Sequence, residues 1–302
     1  MTTQTVVPDA PANARVGRKV SAFLSRHPRA RLSLLLSAPL AWLGFVYIVA
    51  LVALLVTAFW QVDSFTGEVQ QQFTLKNITT VVTGSLYQTF TFRTVGIALA
   101  VTVIDILIAL PIAFFMAKVA SSRVQRMMVI AVLMPLWASY LVKAYAWRSV
   151  LSQDGLLQWL LEPLGLSTPG YGLLAATMTL AYLWLPYVIL PIYAGFERVP
   201  DSLLEASADL GAKSGPTFRR VVLPMVAPAV IAASIFSFSL TLGDYLVVNI
   251  VGGTSQMLGN LVYTNVGTAN NLPLAAAVAL IPIVIIFGYL ALVRRTGALQ
   301  NL

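Results

Sequence analysis

Two carboxylates, Asp105 and Asp244, stand inside stretches that carry no other charge. A charged side chain at the centre of a membrane helix costs at least about 2.5–3.5 kcal/mol on insertion scales, so such an acid normally faces water, a partner or a solute. Asp105 shares a helical face with Thr94, Ala98, Thr102 and Ala109. Asp244 follows Ser234, Ser237 and Thr241 at intervals of three, four and three, which reads as one polar stripe on one helix. For Asp244 a structural hydrogen bond or a helix-terminus contact is an equal reading. Trp137, Tyr140, Tyr182, Trp184 and Tyr245 lie in neighbouring apolar runs and offer aromatic walls. Core packing or an interfacial belt explains any one of them as well. Other chemistries lack their residues: there is no cysteine, the single histidine is His27 in a basic tail, and no nucleophile has a base within a recognisable motif.

The elements that must hold these residues follow from composition. With 58% hydrophobic and 10% charged residues in 302, and a mean hydropathy of +0.83, the chain cannot cover a water-soluble domain of its size. Three runs carry no charge: Arg31 to Asp63, 172–196 and 272–293. Three more carry one each: 94–117 with Asp105, 127–147 with Lys143, and 223–250 with Asp244. Each is long enough at 1.5 Å per residue to cross roughly 30 Å of hydrocarbon, so six membrane helices are expected. None alternates apolar and polar residues as a β-barrel strand does. About thirty polar and basic residues precede the first run, which is also far longer than a signal-peptide core, so a retained anchor is expected. The expected organisation is a basic tail over 1–31, a six-helix domain over 32–296 and a short tail over 297–302.

The bases then give an orientation. Fifteen of the 19 lie in the N-terminal tail, the loops around 118–126 and 197–222, and the C-terminal tail, all on one side if six helices cross. The positive-inside rule makes that side the cytoplasm, with both termini there. Nucleic acid is an unneeded partner for this basicity. The loop at 197–222 holds "EASADLGAKSGPTFRRVVLP" from 205. Pro200 suits a first helical turn, Ser202 and Glu205 fit a capping box, and Gly211 suits a left-handed stop, so a helix of about ten residues is expected. Asp201, Glu205 and Asp209 recur every four residues along an acidic edge. "GAKS" at 211–214 is not a phosphate loop, because the full glycine-lysine pattern and its strand are missing. Trp147 lies between Lys143 and Arg148 at the outer end of the third run, and "DGLLQWLLEPLGL" reads as a short amphipathic surface helix.

The loop resembles the EAA loop of bacterial ABC-importer permeases: Glu205-Ala206-Ser207, Gly211 and Val221-Val222-Leu223-Pro224 stand in its register, with Ser207 where a second alanine is commonest. "LMPLWASYLVKAYAWRSVL", "LPYVILPIYAGFERVPDSLLEASADLGA" and "LGDYLVVNIVGG" with "MLGNLVY" are similar to the B-type permease of spermidine/putrescine importers. The resemblance covers about residues 35–295. It implies an all-α integral membrane protein of the bacterial inner membrane, the six-helix permease of a type I ABC importer. Its partners would be a second permease subunit, two cytoplasmic ATPases that bind ATP and magnesium, and an external substrate-binding protein, with no cofactor in this chain. It implies that the helix at 201–211 couples to the ATPase through Asp201, Glu205, Ala206, Asp209 and Gly211, with Pro224 closing the motif. A polyamine would meet the acids Asp105 and Asp244, the hydroxyls of Ser237 and Thr241, and the rings of Tyr140, Trp184 and Tyr245, because ammonium groups leaving water need carboxylates and the methylenes between them need apolar walls. A permease for an amino acid, iron or an opine fits the same loop, and a channel or secondary transporter is the alternative of another class.

Overall fold

The computed structural model describes residues 28–63 and 66–295. Of the expected tail at 1–31, residues 28–31 are helical and the rest lies outside the described residues, as does the whole expected tail at 297–302.

The chain divides after Val56 into two units. In the first, α1 (Pro28–Leu43), a wide helical turn at Gly44–Ile48 and α2 (Val49–Thr57) follow one another with helical dihedrals at Leu43 and Val49. Trp42, Phe45, Tyr47 and most of the leucines are exposed. A helix that is apolar on every side is suited to hydrocarbon.

The second unit opens with a hairpin of β1 (Gln61–Val62) and β2 (Val69–Gln70), Gln61 opposite Gln70. Phe59 stacks on Phe73 at 5.5 Å, and the Asn77 amide donates to the Ala58 and Trp60 carbonyls, which fixes the hairpin to α3 (Lys76–Thr83). The long helix α4 (Ser85–Phe114) ends in a wide turn at Phe115–Val119. It starts nine residues before the charge-poor run, because Arg93 need not be buried: it donates to the Gln256 carbonyl at the bundle mouth.

The third run is broken. α5 (Ser122–Trp137) and α6 (Tyr140–Val150) meet at 96°. Ala138 and Ser139 are extended, and the Ser139 hydroxyl accepts from the Val142 amide, so a serine cap starts a new helix where a continuous one was expected. After α7 (Leu156–Leu161) and a tight turn ended by left-handed Gly165, as the amphipathic surface segment predicts, α8 (Leu173–Glu197) recrosses. The loop helix follows as α9 (Asp201–Asp209), then α10 (Ser214–Thr217), a wide turn at Phe218–Val222, and α11 (Leu223–Leu242).

The fifth run is also shorter than expected. α11 stops at Leu242, the chain turns through Gly243 to Tyr245, and α12 (Leu246–Val251) begins a separate helix. α13 (Leu258–Gly267) and α14 (Leu272–Arg295) complete the fold.

The centre of the second unit is the mutual packing of α4, α8 and α11. Ala109, Ala113, Val188, Ile192, Val226 and Ala233 are all buried there. Small residues let backbones approach where lipid supplies no hydrophobic drive between helices. The two ends of this unit are distinct. One gathers Lys118, α9 and Phe218; the other gathers α6, α12 and α13, tied by Arg148 to the Ile250 carbonyl and by Thr94 to the Leu258 amide.

Candidate functional site

The two breaks face one another. Tyr140 opens α6 and Asp244 precedes α12, and the Tyr140 hydroxyl donates to Asp244 Oδ2. Oδ1 accepts from the Val247 amide at 3.0 Å, capping α12. The expected stripe through Asp244 is therefore cut at Leu242: a carboxylate placed beyond a helix end reaches orphan amide groups that the middle of a helix does not offer. At the far end of the same helix pair, Arg148 Nη1 donates to the Ile250 carbonyl at 2.7 Å, and its guanidinium lies over the Tyr171 ring. α6 and α12 are thus strapped together twice.

Aromatic rings surround this junction. Trp184 stacks on Tyr140 at 5.8 Å and touches Tyr187 at 6.0 Å; Tyr245 stacks on Tyr263 at 5.0 Å. Trp184 Nε1 is buried and finds no acceptor among the described residues. Trp137 is 89% exposed, outside this group, and Tyr182 packs on Trp147 instead.

Asp105 belongs to a second group. It is wholly buried in α4, and its Oδ2 accepts from Ser237 on α11 at 2.6 Å. Oδ1 has no hydrogen-bond partner among the described residues, nor has the buried Thr241 hydroxyl one helical turn beyond Ser237. Ser234 bonds to Tyr289 on α14, while Thr102 and Thr94 return their hydroxyls to backbone carbonyls. The face shared by Ser234, Ser237 and Thr241 points into the bundle. A carboxylate oxygen left unpaired in such a place costs on the order of 1–3 kcal/mol or more.

Asn260 joins the outer elements and was not singled out by any pattern in the sequence. Its amide donates to the Tyr245 carbonyl and to Asn249, and its Oδ1 accepts from the Met257 amide. Gly259 beside it has no room for a side chain, since a Cβ would stand 2.7 Å from the Asp244 carbonyl oxygen. "MLGN" is the signal for this contact: the glycine admits the backbone and the asparagine ties it.

At the other end, α9 turns Leu204 and Ser207 inward and leaves Asp201, Glu205, Ala206, Asp209 and Gly211 exposed. Pro200 is the residue before the helix, with extended ψ of 136°, and no side chain caps it, so the expected capping box of Ser202 and Glu205 is not made. Gly211 has φ of +76°, as the stop requires. Ser207 Oγ lies 2.7 Å from Thr217 Oγ1, which gives the serine of the EAA register a bond across to α10. Pro224 sits in the first turn of α11.

A multi-pass helix bundle with broken spans at one end and an exposed loop helix at the other is the architecture of a transport permease. The model of the family described as binding-protein-dependent transport system inner membrane component matches residues 98–296, and the chain belongs to that family. It is 44% identical to the inner membrane ABC transporter permease protein YdcU of Escherichia coli K12, over 94% of this chain and 95% of that one. It is 30% identical to the spermidine/putrescine permease PotB of Haemophilus influenzae, over 68% of this chain and 73% of that one. Its fold is similar to a solved bacterial alginate ABC transporter chain, with a TM-score of 0.66 at 14% identity covering 89% and 95% of the two chains. A solved chain of the MetNI methionine ABC transporter gives 0.54 at 18% identity, covering 68% and 92%. The protein is a permease component of an ABC importer of the inner membrane.

Proposed function

We propose that this permease forms half of the pathway for a polyamine of the spermidine/putrescine kind, driven by ATP that a separate ATPase binds with magnesium. The observation that carries the reading is the Tyr140–Asp244 pair beneath Trp184. An acid with a phenol on one oxygen and aromatic rings beside it suits a primary ammonium, which takes the place of the Tyr140 hydroxyl while the rings cover the adjacent methylenes. Asp105, with Ser237 and the unpaired Thr241 hydroxyl, provides a second anionic point deeper between α4 and α11. The PotB relative, named for spermidine and putrescine, supports this class.

The exposed acidic helix α9 is the coupling helix on this reading, held in a cleft of the ATPase, with both termini cytoplasmic. The remaining partners are a second permease subunit, a second ATPase copy and an external binding protein.

Purification of the tagged chain from native membranes tests this. A co-purifying ATPase whose hydrolysis rises with binding protein loaded with a diamine or triamine is expected. Stimulation by an amino acid, iron or opine instead of amines moves the protein to another solute; an active homo-oligomer with no ATPase ends the importer reading.

A further inference from the structure

Lys118 served the sequence only as an orientation signal, yet its side chain is 10% exposed. It stands in the wide turn Phe115–Val119 that closes α4. Its Nζ donates to the Val199 carbonyl at 2.6 Å and to Asp201 Oδ1 at 2.7 Å. Val199 is buried among Met116, Phe196, Val222 and Val226, and with Pro200 it forms the elbow by which α8 passes into α9. Asp201 is the first residue of α9. One ammonium therefore grips both sides of that elbow.

The two bonds are unequal. Asp201 is 76% exposed, so the ion pair is solvated and weak by itself. The bond to Val199 is charge-assisted and shielded, and losing the donor would leave a covered carbonyl without a partner. From the grip, α4 runs back to Asp105, roughly 20 Å at 1.5 Å per residue, where Ser237 holds it to α11. α9 is joined by the chain itself to α8 and, through α10, to α11. Lys118 supplies the third linkage, to the remaining helix of the central packing.

We propose that Lys118 is a positioning residue that fastens α9 to α4, so that displacement of α9 by the ATPase reaches the helix carrying Asp105 as well as α8 and α11. The proposal rests on the reading of α9 as the coupling helix. Without the fastening, α4 would follow α9 only indirectly, through side-chain packing such as Phe114 on Phe218 beyond α10.

The test is the number of substrate molecules transported per ATP hydrolysed by the complete complex, with its partner permease, ATPases and binding protein, in vesicles. Lys118→Met is expected to assemble and hydrolyse ATP while this ratio falls about fivefold or more. Lys118→Arg, which keeps a donor for both acceptors, is expected to restore most of it. If Lys118→Met reduces the amount of complex, Lys118→Gln, a shorter neutral side chain that cannot span both acceptors, takes its place and is expected to lower the ratio too. A wild-type ratio in an assembled Lys118→Met or Lys118→Gln complex overturns the proposal, and so does an equal fall in Lys118→Arg. Glu205→Ala separates the two claims: a wild-type ratio there removes the coupling role of α9 itself, whereas loss there with a wild-type ratio in Lys118→Met removes only the fastening.

Discussion

Asp244 has two oxygens with different tasks, and they can be separated chemically. Asparagine caps a helix as well as aspartate does, so Asp244→Asn keeps an acceptor for the Val247 amide while removing the charge. Bonds involving a charged group contribute about 1.5–3 kcal/mol, so uptake of a diamine or triamine is expected to fall about tenfold or more with the amount of assembled complex unchanged. Wild-type uptake in that variant leaves Asp244 as a helix cap alone. Asp244 and Asp105 were legible in the sequence because isolated charges in apolar runs need a reason. Their partners were only partly so. Ser237 belonged to a visible stripe, but Tyr140 is 104 positions from Asp244 and nothing local marks that pairing. Lys118 was hidden by its ordinary place in a basic loop; burial, not type or spacing, makes it unusual.

At the scale of elements, six apolar runs foretold where membrane helices lie, since the length of a charge-free run is set by the thickness of hydrocarbon. The two breaks were missed because that signal outweighed short local ones. Ser139 is a capping residue and Gly243-Asp244 is turn and cap chemistry, yet both are surrounded by residues that suit a continuous helix. The strapped pair α6 and α12 is held against α13 by the bare backbone of Gly259. Gly259→Ala would place a methyl against the Asp244 backbone, an overpacking that costs on the order of 1–3 kcal/mol. The midpoint of thermal unfolding in detergent is expected to drop by several degrees. Gly267→Ala, where a Cβ meets nothing within 4 Å, is the control and is expected to leave it unchanged or slightly raised. Equal midpoints for the two variants would show that α13 has slack at this contact.

For the whole molecule, the absence of cysteine allows its sidedness to be read directly. Single cysteines at Ser121 and Ser202 are expected to resist a membrane-impermeant maleimide in intact cells and to react once the membrane is opened; Gln71→Cys and Gln153→Cys are expected to react in both conditions. The reverse pattern would invert the orientation drawn from the bases. The 96° bend between α5 and α6 bears on how such a molecule is made. α5 has 16 residues and reaches about 24 Å, short of a full bilayer core, while α6 turns away from its axis. Bent as it is and alone in lipid, this segment would expose the extended backbone at Ala138 and Ser139 with its hydrogen bonds unmade. The bend is thus a shape that this segment cannot hold by itself in lipid. The bend is therefore expected to settle only once α8 and α12, synthesised later, pack against α5 and α6, so folding of this crossing draws on the second half of the chain.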